Sequence, residues 1–260
     1  MYEGEWKDNK AYGQGKFTHA DGDCYDGMWA NDKANGFGSY YHTNGSMYRG
    51  YWKDDLQHGV GVETWLDGSS YQGEYTYGRK HGLGAYQWND GSRYHGLWYE
   101  NRIQGIGVYT WLDGRSYEGE WNDNNMEGVG IYKWSDGRSY TGEYIDDKKH
   151  GYGIYRWQDG RKYTGCWYFG KQHGLGIYAV ATENREKHGL WEDGKRVEWF
   201  SPETQALINQ NKYNWAQHFK TDESKASAVL THSYLEPQDF YVKMNNLNLQ
   251  LTELRKRSDE

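Results

Sequence analysis

Proline is almost missing from this 260-residue chain, which has only two, and cysteine is equally scarce, with Cys24 and Cys166 far apart and in no CxxC spacing. Two cysteines so placed fit a reducing compartment and argue against a disulfide-stapled secreted scaffold. No basic-then-apolar leader follows Met1, and no uncharged apolar run approaches the roughly 20 residues of a spanning helix. The sequence therefore reads as cytosolic and soluble. Positive charge is in deficit, 30 Lys and Arg against 37 Asp and Glu, for a net charge of -7. That balance opposes diffuse attraction to phosphate backbones or anionic membranes, so nucleic acid is not expected as a partner.

What the chain does hold is glycine (35), tyrosine (26) and tryptophan (14), with only 6 phenylalanines. The interior must be filled by rings that carry a polar edge, which suits thin, half-wet sheets. These residues recur. Tyr2, Tyr25, Tyr48, Tyr71, Tyr94, Tyr117, Tyr140 and Tyr163 stand 23 residues apart, each followed two places on by glycine and two further on by Trp or Tyr. A Gly-x-Gly pair follows in every unit, as at Gly82 and Gly84. In the middle units it leads to a Tyr and a Trp at intervals of two, as at Tyr86 and Trp88. Spacing by twos is the period of a strand, so each unit holds two strands. Glycine inside a strand marks close approach by another group, and we expect rings of one strand to lie over glycines of its neighbour.

Asp67-Gly68, Asp90-Gly91, Asp113-Gly114, Asp136-Gly137 and Asp159-Gly160 separate one unit from the next, and Asp-Gly between strand patterns signals a tight turn. The link within a unit, such as Tyr77 to His81, reads as longer and polar. The expected fold is mainly β: an elongated, twisted, single-layer antiparallel meander of tandem hairpins over residues 1–200, followed by an α-helical tail over 201–260. Two strands per unit at about 4.7 Å give a ribbon about 75 Å long. The first strand has no cap before it, which reads either as an edge open to pairing with another chain, a second copy included, or as a sign that the sequence is one portion of a longer protein. Residues alternating with the rings form a second row, aliphatic at Val60, Val62, Ile106, Val108, Val129 and Ile131, which needs a cover and is the candidate docking surface for a partner.

The motif Tyr71-Gln72-Gly73-Glu74-Tyr75 leading to His81-Gly82-Leu83-Gly84 resembles the MORN repeat, as eight consecutive units to about residue 178 and a degenerate ninth at His188-Gly189-Leu190-Trp191. The resemblance implies a non-catalytic assembly or targeting module, as in ciliary, radial-spoke and cortical cytoskeletal proteins. Its expected partners are other proteins of such a complex. Family usage also raises a phosphoinositide or membrane tether and the repeat portion of a larger regulatory enzyme as alternatives. The net charge argues against the first, and there is no room after the repeats for a kinase or methyltransferase domain.

After Phe200 the repeat stops. Ser201-Pro202-Glu203 starts a helix, with a capping hydroxyl, a first-turn proline and an early acid, and Ile208, Trp215 and Phe219 share one face. A second short helix is expected near Ala226 to Leu230. Phe240, Met244, Leu247, Leu251 and Leu254 alternate by four and three, an amphipathic stripe that either covers the ribbon's aliphatic row or meets another protein.

No enzyme chemistry is expected. GxSxG and GK[ST] are absent, and no helix follows the Gly-x-Gly pairs. The recurring His58, His81, His150 and His173 sit in successive units about 9 to 10 Å apart, too far to share one zinc ion, and read as hydrogen-bonding residues of the inter-strand loops. No cofactor or metal is expected, and both cysteines read as inert.

Overall fold

The computed structural model describes residues 1–181 and 185–210, together with 242, 245, 246, 248 and 249. Two compact units divide the chain, Met1–Leu112 and Asp113–Glu260. The first contains β1 (Tyr2–Lys7), β2 (Lys10–Thr18), β3 (Cys24–Ala30), β4 (Lys33–Tyr41), β5 (Met47–Lys53), β6 (Leu56–Thr64), β7 (Ser70–Thr76), β8 (Arg79–Gln87), β9 (Arg93–Tyr99) and β10 (Arg102–Thr110). The second contains β11 (Ser116–Asn122), β12 (Asn125–Lys133), β13 (Ser139–Ile145), β14 (Lys148–Arg156), β15 (Lys162–Tyr168), β16 (Lys171–Val180), β17 (Arg185–Glu192), β18 (Lys195–Trp199) and the helix α1 (Pro202–Asn209). Within each unit every strand pairs antiparallel with the next, from β1 to β10 and from β11 to β18. The expected meander of two-strand repeats is therefore present, and the degenerate ninth repeat is the hairpin β17 and β18.

The two kinds of link are exchanged relative to the sequence expectation. Within a repeat the turn is two residues long, as at Asp54-Asp55 between β5 and β6, and both residues have positive φ (49° and 68°). This is the geometry that matches the right-handed twist of the flanking strands, and Asp and Asn tolerate it. The Asp-Gly link is the longer one, spanning residues 65–69 between β6 and β7. There Gly68 N–H donates to Trp65 O (3.0 Å), Trp65 N–H donates to Ser69 O (3.0 Å), and the Asp67 carboxylate accepts from Ser69 N–H (2.9 Å). Asp-Gly suits the two-residue turn and the five-residue loop alike, so the dipeptide by itself does not choose between them.

Glycines face one another across the sheet. Gly84 is opposite Gly73 on one side and Gly96 on the other. The fully buried Tyr71 lies over Gly84 of the next strand and also over Gly73 of its own, while its hydroxyl donates to Glu74 O (3.0 Å). Edge-on contacts flank the ring: Tyr75 at 5.2 Å and Trp98 of the next repeat at 5.5 Å between centroids, both at 87°. Trp98 also donates its indole N–H to Gly84 O (3.2 Å). Tyr140 in the second unit repeats the pattern with Tyr144 and Trp167. Within a unit such a tyrosine thus binds its own hairpin to the following one, and the layer needs no second sheet on this face.

Opposite Glu74 three residues bulge out, and Gly82 takes φ +67°. The Glu74 carboxylate fills the bulge and accepts from Leu83 N–H (3.2 Å). Glu5, Glu120 and Glu143 do the same in their repeats. Turn edges are clipped between neighbouring repeats as well. Asp55 Oδ1 accepts from Ala34 N–H (2.7 Å), and Asp55 N–H donates to Ala34 O (3.1 Å).

Helix α1 begins as the sequence requires. Ser201 caps it, its hydroxyl accepting from Thr204 N–H (3.2 Å), with proline in the first turn. The expected helix near 226–230, and Trp215 and Phe219, lie outside the described residues.

Candidate partner-binding face

The ring face carries one variable position per hairpin, the second residue of each even-numbered strand. At β8 this is Lys80, whose Nζ stands 4.9 Å from the Trp65 ring, 5.3 Å from Tyr71 and 5.6 Å from Tyr86. At β14 it is Lys149, between Trp134 (5.3 Å), Tyr140 (5.6 Å), Tyr155 (4.9 Å) and Trp167 (4.8 Å). An ammonium over ring faces at this range is held by their quadrupoles. Burial opposes the charge: it lowers the Lys80 pKa, and in Lys149 burial first and the nearby Arg138 second bring it to about 8.

At β2 and β4 the same position is alanine, and an open cleft of about 560 Å³ lies over Ala11 and Ala34. Its walls include Tyr2, Trp29 and Trp52, and Asp32 and Asp55 stand at its lip. No motif search would have found this cleft. The sequence signal is alanine at a repeat position that in β6 to β16 holds Gln, Lys, Ile or Met and whose role only the structure reveals.

The aliphatic row predicted for docking is unevenly presented. Val60 and Val62 are exposed, at 56% and 37%, Val108 and Ile131 are half-buried, and Ile106 and Val129 are buried. The row thus does not form one uniform surface. Towards its C-terminal end, Leu175 and Ile177 share a cleft of about 250 Å³ with Gln205 and Ile208 of α1, so the first tail helix stands beside this face. Phe240, Met244, Leu247, Leu251 and Leu254 lie outside the described residues.

Three of the four recurring histidines serve the loops. His58, His150 and His173 accept through Nδ1 from the turn amides of Tyr77 (3.5 Å), Phe169 (3.5 Å) and Asp193 (3.3 Å) in the following repeat. The His81 ring lies against Tyr99. Among the described residues no three His, Cys, Asp or Glu side chains gather in a metal-binding group. Cys166 stands at the place Glu74 holds in its repeat and is buried. Sequence reasoning missed the bulge-filling glutamates and the clipping aspartates of the two-residue turns, Asp32 and Asp55, because both look like ordinary surface charge until the register is known.

The MORN repeat model matches residues 2–24, 25–47, 48–70, 71–93, 94–114, 117–137, 140–160 and 163–179. This chain belongs to the MORN-repeat family. The hairpin β17 and β18 continues the antiparallel pairing beyond the matched segments, with Gly189 opposite Trp199 in place of a second glycine. Among solved structures, the TCP domain of SAS-4 (dCPAP) from Drosophila melanogaster, in complex with a proline-rich motif of Ana2 (dSTIL), is similar at 11% identity. The match covers 68% of this chain and 90% of that one, with a TM-score of 0.40. The TCP10 domain of Danio rerio CPAP is similar at 12% identity over 72% and 89% of the two chains, with a TM-score of 0.41. Likeness of this size says nothing about shared partners. No curated protein matches the chain.

Proposed function

We propose that this MORN-repeat chain is a non-catalytic scaffold or adaptor that mediates protein–protein contacts in a cytoskeletal assembly, with a ciliary axoneme or the cell cortex as its setting. One observation carries the reading. The repeated tyrosines, histidines and turn aspartates hold hairpin to hairpin and the glutamates hold each hairpin together, whereas the cleft over Ala11 and Ala34 presents rings and carboxylates to solvent. Such a surface suits recognition of another chain. The exposed Val60 and Val62 give the opposite face a smaller apolar contact, and the tail beyond Phe200 is the second docking element.

Cross-linking mass spectrometry in native cell extract, comparing the full chain with one truncated after Phe200, tests this. Cross-links to axonemal or cortical proteins that fall on the ring-face cleft, on Val60 and Val62, or on the tail are the expected result. Recovery of a catalytic subunit alone, or flotation with phosphoinositide liposomes that persists at high salt, would overturn it.

A further inference from the structure

The rings that enclose Lys80 and Lys149 have counterparts around the alanines. One repeat position at a time, Trp134, Tyr140, Tyr155 and Trp167 around Lys149 become His19, Tyr25, Tyr40 and Trp52 around Ala34. All four line the open cleft. Nor have the walls closed over the missing lysine. Tyr40 and Trp52 stand 6.1 Å apart at 40°, against 6.1 Å and 41° for Tyr86 and Trp98 beside Lys80, and 6.0 Å and 41° for Tyr155 and Trp167 beside Lys149. At Ala34 the cage keeps its shape without an internal ammonium, while at Ala11 it is built from three rings, Tyr2, Phe17 and Trp29, with Phe17 and Trp29 6.2 Å apart at 64°.

Charge at the lip changes in step. Beside Lys80 the clipping residue is the neutral Asn101, whose Oδ1 accepts from Lys80 N–H (2.8 Å), and beside Lys149 it is Gly170. Beside Ala11 and Ala34 it is a carboxylate, Asp32 and Asp55, each at 2.7 Å. At Ala11 and Ala34 a clipping carboxylate therefore stands where the internal cation is absent, whereas the carboxylate near Lys80 is Glu63, whose counterpart beside Ala34 is Phe17.

We propose that the cleft binds two lysine side chains of a partner protein, one over Ala11 and one over Ala34, in the places that Lys80 and Lys149 fill in their own repeats. This deepens the scaffold reading and rests on it. Ala11 and Ala34 lie on strands two apart, about 9.5 Å at ordinary strand spacing. In a polyproline II segment residues i and i+3 share one face and are about 9.3 Å apart. The matching ligand is thus an extended Lys-x-x-Lys segment whose ammonium groups meet ring faces and the Asp32 and Asp55 carboxylates.

The test is calorimetric titration of the full chain with the peptide Pro-Pro-Lys-Pro-Pro-Lys-Pro-Pro and with its double norleucine analogue. The lysine peptide should bind, and the norleucine peptide about tenfold or more weaker, the scale of desolvated cation–π contacts. The variant A11K/A34K supplies the ammonium internally, as β8 and β14 do, so it should remain folded and lose about tenfold in affinity. D32N/D55N keeps the turn clip, as Asn101 does, and should bind several-fold weaker with a shallower salt dependence. Equal binding of the norleucine peptide, undiminished binding by A11K/A34K, or no binding of either peptide would overturn the proposal. So would binding of choline-headgroup vesicles, lost in A11K/A34K, without peptide binding. The scaffold reading would survive these outcomes if partner cross-links fall elsewhere on the chain.

Discussion

Gly84→Ala tests how the layer is held together, because two effects of opposite sign meet at one atom. Gly84 does not need a positive φ, so alanine fits its backbone, and the stiffer unfolded chain alone would stabilise the variant by about 0.4–1 kcal/mol. Space decides otherwise. The added Cβ would overlap the Tyr71 ring, 2.6 Å from Cε2 and Cζ and closer still to the hydroxyl. The buried ring cannot give way without loosening its hydroxyl bond to Glu74 O and its edge contacts with Tyr75 and Trp98. Those are worth about 1 kcal/mol for the bond and about 0.5–1.5 kcal/mol for each ring pair. A loss of about 2–4 kcal/mol is expected, read from urea unfolding followed by tryptophan fluorescence. Gly68→Ala is the control, since it meets no atom within 4 Å but has φ +85°, and it should cost about 1–2 kcal/mol through backbone strain alone. In the double variant Gly84→Ala with Tyr71→Ala the methyl enters vacated space, so the two losses should not add. A neutral or stabilising Gly84→Ala would refute the packing argument.

Lys149 links stability to pH. Its folded pKa of about 8 lies below the ordinary 10.5, so across that window the unfolded chain binds more protons and stability rises with pH. Relative to Lys149→Met, which cancels the opposing tyrosine titrations, the wild type should gain up to about 3 kcal/mol between pH 8 and 10.5; a flat difference in paired melts would show that ring attraction fully offsets burial. Glu74→Ala leaves the Leu83 amide unfilled and should cost about 1–2 kcal/mol, whereas Glu74→Gln keeps an acceptor and should cost less, with Leu83 amide exchange as the local readout. Asp55→Ala should lose about 1 kcal/mol and speed exchange at Ala34 N–H, and Asp55→Asn should restore protection, as Asn101 does for Lys80.

The regular interval from Tyr2 to Tyr163 was enough to set the strand period, the hairpin count and the ring-over-glycine packing, because a side-chain alternation of two and a shortage of aliphatic filler leave few other arrangements. The start of α1 at Ser201 was legible for a similar reason, since capping is a local interaction. Register was not local. Which link is the two-residue turn depends on φ at Asp54 and Asp55 against the loop at Asp67 and Gly68, and both pairs are ordinary turn residues. Likewise Ala34 and Lys80 are unremarkable as letters. Only strand pairing brings residues from two successive hairpins, Tyr25 and Tyr40 of one and Trp52 of the next, around one position and shows that the same rings which enclose a lysine in one repeat stand open in another. The sequence determined the repeating unit because its forces act within two strands; the tertiary structure decided what each face offers, because a cage wall is assembled across repeats that the chain visits 23 residues apart.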